Sequence, residues 1–156
     1  MTSIAEAAKN MLTEKDPHGK KPNEGGAKLD ANKIDVGLLF DFSRALMEVA
    51  RVSTMGAKKY SRAGWLTVPD GVNRYTAAFG RHIFKEQIEG EYDLESLEAG
   101  FGGIRHDAQI AWNALARIEL RLREKEQQRR ETVFMNATSI ADLANIAPGS
   151  AVRIPR

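Results

Sequence analysis

The sequence predicts an all-α protein: a bundle of three main helices with short helices near its two ends. Three observations carry this expectation. Apolar residues recur at three- and four-residue intervals over residues 36–55, 70–89 and 104–122. No stretch shows a competing strand pattern, and glycine or proline punctuates the segments between.

The elements follow in chain order. Ser3, with Glu6 three residues on, predicts a capped short helix through Ala7, Ala8 and Met11. Residues 16–32 hold Pro17, Gly19, Pro22, Gly25 and Gly26 and read as an extended loop, long enough to suggest a role of its own. Leu39, Phe42, Ala45, Leu46, Val49 and Val52 make one wide stripe on a first helix, with Asp41 and Glu48 along its margin. A second helix begins near Asp70 or Asn73 and ends at Gly90. Its apolar face is Val72, Tyr75, Phe79 and Ile83, and His82 and Glu86 fall inside that face. Residues 90–103, acidic and glycine-rich, predict a loop with one helical turn.

The third helix carries Ile104, Ala108, Ala111, Leu115, Ile118 and Leu122 on one stripe and Asp107 at its margin. His106, Asn113 and Arg117 share a second face, so this helix reads as covered on two sides. Residues 121–130 form a charged, solvated extension, and a weak helix at 140–144 precedes a tail. These boundaries divide the chain into an N-terminal segment 1–35, a helical bundle with its extension 36–131, and a C-terminal segment 132–156.

Composition narrows the function classes. With 23 Lys+Arg against 21 Asp+Glu, and the charges interspersed, nothing demands a nucleic-acid partner. The absence of cysteine excludes disulfides, zinc–thiolate sites and thiol nucleophiles. No apolar run approaches the roughly 20 residues that span a bilayer, and residues 1–6 lack the order of a signal peptide. A cytoplasmic protein without a membrane partner is the expectation.

Carboxylates dominate the candidate chemistry: Asp41, Glu48, Glu86, Glu89 and Asp107 on helices, and Glu91, Asp93 and Glu95 between them. Acids from neighbouring helices can converge in a bundle core, and Mg2+ is held by a few carboxylates plus substrate phosphates. Glu86 and Glu89, three apart, point to nearly one side. On spacing alone, a buried ion pair of Glu86 with His82, without metal, accounts for the pattern equally well. Lys58 and Lys59 equally complement a helix dipole. Trp65 and Trp112 fit a core as well as a base-stacking platform, and a structural hydrogen bond or subunit contact explains His106 with Asn113.

Three collinear blocks add to this reading. They are Asp16-Pro17-His18-Gly19-Lys20 with Gly26-Ala27-Lys28-Leu29-Asp30-Ala31; Gly56-Ala57-Lys58-Lys59-Tyr60 through Gly64-Trp65 and Val68-Pro69-Asp70-Gly71 to Arg74-Tyr75; and Arg81-His82 with Glu86, followed by His106 and 111–117. Together they resemble the dATP/dGTP diphosphohydrolase family of phages and prophages, which is similar to the MazG-like all-α nucleotide pyrophosphohydrolases. The chain departs from the family pattern at Gln109, where a second histidine is usual, and at Gly100-Phe101-Gly102-Gly103, which lengthens the loop.

The resemblance implies a MazG-like bundle that converts purine deoxynucleoside triphosphates (dGTP or dATP) to monophosphate and pyrophosphate with Mg2+ or Mn2+. It implies Glu48, Glu86, Glu89 and Asp107 as metal ligands and Glu86, Asp107 and His106 as the catalytic set. Lys28, Asp30, Lys58, Lys59, Tyr60, Trp65, Arg81, His82 and Asn113 would contact the nucleotide, within a homodimer or homotetramer. The alternative, favoured by Gln109, is an inactive helical binding or structural accessory protein.

Overall fold

A computed structural model describes residues 15–144, and the short helix expected at 3–11 and the tail beyond 144 lie outside them. The described residues form two compact units that divide between Ser43 and Arg44.

The first unit is organised by one buried carboxylate. Asp16 accepts the backbone N–H groups of His18 at 2.8 Å and Lys28 at 2.7 Å, and that of Lys20 more weakly at 3.4 Å. The N–H of Ala31 returns to the carbonyl of Lys15 at 3.0 Å, closing the loop. A 3-10 helix follows over Val36–Phe42, where Asp35 caps the N–H of Gly37 at 2.9 Å. The sequence placed these residues in the first α-helix. Apolar spacing of three suits both helix types, so periodicity alone did not separate them.

The second unit is helical, as expected. Helix α1 (Ser43–Lys59) is followed by a 3-10 turn at Gly64–Thr67 and helix α2 (Gly71–Glu89). Strand β1 (Tyr92–Asp93), helix α3 (Leu94–Glu98) and strand β2 (Ile104–Arg105) form the connection to helix α4 (His106–Ala144). Helices α2 and α4 pack as an antiparallel pair: Gly71 at the start of α2 meets Leu120, while Glu89 at its end meets His106. A Cβ at Gly71 would lie 2.9 Å from Leu120 Cδ1, so only glycine allows this approach without a shift.

Two small clusters hold the unit. Val52, Ile104 and Ala108 are buried, with Met55, Phe101 and Trp112 packed against them. Trp112 also meets Trp65 and Tyr75 edge-on at 5.7 and 5.6 Å, and its indole N–H donates to Ser53 Oγ at 2.8 Å. Edge-to-face aromatic pairs of this kind add about 0.5–1.5 kcal/mol each beyond area burial.

Residues 90–105 are more ordered than a plain loop. The strands pair antiparallel, Tyr92 with Arg105 and Asp93 with Ile104. A two-residue strand is too short to show alternation, so no periodicity announces it. Ser96, buried, donates from Oγ to the Asp93 carbonyl and accepts the Ile104 N–H, both at 2.7 Å. Gly90 turns the chain out of α2 at φ +87°, in the region that glycine alone enters without strain.

In α4 the face bearing His106, Gln109, Asn113 and Ala116 is buried, and α2 of the same chain covers its His106 end. The apolar stripe instead opens along its length: Leu115, Ile118 and Leu122 are half exposed. Beyond them the helix runs without a break to Ala144, where the sequence suggested a separate short helix at 140–144. Pairs four apart, Glu119 with Arg123 and Glu126 with Arg130, line this solvated part.

Candidate functional site

Arg105 and His106, adjacent where β2 enters α4, each gather carboxylates. Asp107 takes the Arg105 guanidinium through two hydrogen bonds, at 3.0 Å to Nε and 2.9 Å to Nη2. Glu91 forms a close ion pair with the same group. These Asp107 bonds, reinforced by the charges of Asp107, Glu48 and Glu86, raise the Arg105 pKa further. In return, Arg105 holds the Asp107 carboxyl below its ordinary range. Glu48 is paired separately, with Arg51 at 2.8 Å, and Arg51 also donates to the Gly103 carbonyl at 3.1 Å. Of the three acids expected to act together, only Asp107 bonds this guanidinium, while Glu48 and Glu86 act on it through their charge. Among the described residues the expected set Glu48, Glu86, Glu89 and Asp107 is not gathered into one metal-binding group.

Around His106 the donors are different. The imidazole is fully buried, and its Nδ1 lies 3.1 Å from His82 Nδ1. Burial pushes His82 below its ordinary pKa, with the Asp93 charge pulling the other way. His106 Nε2 sits 3.4 Å from Glu89 Oε2, within ion-pair distance, yet makes no hydrogen bond. Asp93, also buried, caps α3 through Glu95 N–H at 3.2 Å and accepts Gln109 Nε2 at 2.8 Å. Glu89 accepts the Leu94 N–H at 3.1 Å, the first reason its pKa is lowered, with Lys85 adding to it. Lys85 reaches Glu95 at 2.7 Å, Glu89 at 3.4 Å and Asp93 at 3.7 Å. One ligand atom each from Glu89, Asp93 and His106 lie within 4.8 Å of one another.

The other expected residues fall as follows. Glu86 is half-buried on α2, and no ion pair joins it to His82, whose Nδ1 faces His106 instead. Asn113, buried one turn beyond Gln109, donates to the Gln109 carbonyl at 2.8 Å. Trp65 is half-buried in the aromatic cluster, and its carbonyl accepts the Tyr75 hydroxyl at 3.1 Å. Lys58, Lys59 and Tyr60 are exposed at the end of α1, with the Lys59 ammonium 5.4 Å from the centre of the Tyr60 ring. Arg81 is exposed on α2. In the first unit, the Lys28 ammonium pairs with Asp30 at 3.0 Å.

Lys85 and Arg105 were given no role from the sequence, Asp93 stood only among the candidate carboxylates between the helices, and Gln109 entered only as a departure from the family pattern. Asp93 carried one usable signal, an acid at the N-cap position of the turn Leu94-Glu95-Ser96. Its partner Gln109 is 16 residues away, a separation that no local pattern reveals.

A family model described as dATP/dGTP diphosphohydrolase, N-terminal, matches residues 23–130. No curated protein and no solved structure matches the chain. The match spans more than two thirds of the sequence and takes in both carboxylate groups, the lysine pair at the end of α1 and the α2–α4 pair. The chain belongs to the dATP/dGTP diphosphohydrolase N-terminal family.

Proposed function

We propose that this protein hydrolyses purine deoxynucleoside triphosphates: dGTP or dATP plus water gives the monophosphate and pyrophosphate. The family match over residues 23–130 is the observation that carries the reading. The acids around Arg105 support it, because Glu48, Glu86 and Asp107 supply the hard oxygen donors that Mg2+ or Mn2+ prefers. The Arg105 guanidinium, held by Asp107 and Glu91, is the chain's own stand-in for such a cation. When bound, the ion would lower the pKa of a water and neutralise phosphate oxygens.

The protein's own residues have the remaining tasks. Lys58 and Lys59 offset triphosphate charge at the end of α1, and the exposed Tyr60 ring offers a face to the base. Released from Asp107, Arg105 can turn its donors to phosphate oxygens, for which a guanidinium is well shaped. Leu115, Ile118 and Leu122 leave an apolar stripe open on α4, and a second copy is its proposed cover.

A pyrophosphate-release assay over the four deoxynucleoside triphosphates, with Mg2+ or Mn2+, tests the reading. Release from dGTP or dATP, abolished by chelator, is expected. No release from any of the four would instead favour the accessory-protein reading, which the arginine pairing of Glu48 and Asp107 also supports.

A further inference from the structure

The pocket around His106 has an unmet need that the acids around Arg105 do not share. A neutral imidazole has one N–H and one lone pair. His106 Nδ1 can donate its N–H to His82 Nδ1, 3.1 Å away. That tautomer leaves the His106 Nε2 lone pair pointing at Glu89 and Asp93, two acceptors, with nothing to receive it. The opposite tautomer would put an N–H on Nε2, but Glu89 Oε2 at 3.4 Å offers it no hydrogen bond. A fully buried polar atom without a partner is destabilising, and a cation at this point would relieve it.

We propose that Glu89, Asp93 and His106 form a binding site for a divalent first-row transition ion, in preference to Mg2+. Two carboxylates and one imidazole suit zinc, cobalt or manganese, whereas magnesium prefers an all-oxygen shell. Bonds of about 2.0–2.2 Å place ligand atoms within roughly 4.2 Å of one another. The three ligand atoms already lie within 4.8 Å of one another, so modest side-chain shifts close them around an ion. The supporting shell is already in place. His82 sets the His106 tautomer, Gln109 Nε2 orients Asp93 at 2.8 Å, and the Leu94 N–H orients Glu89 at 3.1 Å. Lys85 neutralises the two acids and must swing to Glu95, which it already touches at 2.7 Å, when the metal enters.

Zn2+ and Mg2+ are titrated calorimetrically into the full chain at neutral pH without nucleotide, so the outcome is independent of the hydrolase reading. One Zn2+ per chain is expected, bound at least about 100-fold more tightly than Mg2+. Asp93→Asn and His106→Gln should lose that binding while circular dichroism remains helical. Gln109→Leu should weaken it about 10–100-fold, as loss of a supporting partner does. Lys85→Met removes no ligand and should tighten it by about tenfold or more, since it deletes a competing charge. NMR of the three histidines with Co2+ adds a readout that survives a variant failing to fold: His106 must shift most. Zn2+ binding no tighter than Mg2+, an unchanged affinity in Lys85→Met, or shifts confined to His18 would each overturn the site.

Discussion

The acids around Arg105 and the acids around His106 are neighbours in sequence but settle their charge by different means. Asp107, Glu91 and Glu48 lean on guanidinium groups at partly exposed positions. Asp93 and Glu89 rely on a side-chain amide, two backbone N–H groups and the ammonium of Lys85, facing an imidazole that is fully buried. The first group is electrostatically complete and open, so an incoming cation there must displace an arginine. The second is geometrically fixed and under-satisfied, so an incoming cation completes it. Position on a helix face told these groups apart poorly; the partners available to each acid decide.

The largest effect expected from this contrast is on turnover. If the open acids serve the chemistry, Glu86→Gln should reduce pyrophosphate release by at least about 100-fold, the scale of losing a group that stabilises the transition state. Thermal stability should hold, because no ion pair joins Glu86 to His82. A mutant that melts much lower, yet keeps activity in proportion to its folded fraction, would make Glu86 structural and move the chemistry away from Arg105.

Next in size is the stability of the closed group. Ser96→Ala removes the acceptor for the Ile104 N–H and the donor to the Asp93 carbonyl, both inside the protein. Leaving those groups unsatisfied should cost about 1–3 kcal/mol by urea denaturation. The exposed pair Glu126 with Arg130 gives the control: Glu126→Gln should change stability by less than about 0.5 kcal/mol. Equal effects would erase the distinction between buried and exposed polar networks on which the comparison stands.

How far the sequence reached follows from the same physics. The helical bundle was legible because burying an amphipathic face imposes a 3.6-residue period, and 71–89 shows it with a glycine stop at Gly90. The 3-10 segment at 36–42 was not, since its apolar spacing mimics an α-helix. Glu86 was legible as an acid inside an apolar face and Glu89 as an acid three residues on, and the second covered face of α4 was legible too. That face meets α2 of the same chain at its His106 end, where a structural hydrogen bond and a subunit contact had both been open readings. Asp93 with Gln109, and His82 with His106, depend on how the connection 90–105 folds back. Ser96 and the short strand pair fix that fold, and neither leaves a periodic trace.

The smallest effect sharpens the contrast in the first unit, where the hydrogen bonds to the Asp16 carboxylate come from neutral backbone N–H groups. The Lys28 N–H lowers its pKa most, burial opposes it, and the N–H groups of His18 and Lys20 add to the lowering, with the His18 charge the smallest contribution. A depressed carboxylate contributes stability that is fully present above the unfolded value, near 3.8. That contribution fades as the pH falls through the lower folded value, because the unfolded chain then binds the proton first. Amide exchange of Lys28 and His18 should therefore quicken only on acidification below about pH 3.8, the ordinary carboxylate range. Asp16→Asn should remove that pH dependence. Salt separates the two kinds of acid. Asp107 owes its lowered pKa first to Arg105, an ionic partner at a partly exposed position, and about 1 M salt shortens the screening length to about 3 Å. The shift of Asp107 should shrink under those conditions, while that of Asp16, set by short hydrogen bonds from uncharged N–H groups, should persist. Carboxyl-detected NMR titrations at low and high salt measure both in one sample. If both shifts shrank alike, long-range charge would be setting the acids of this protein, and the division by partner would fail.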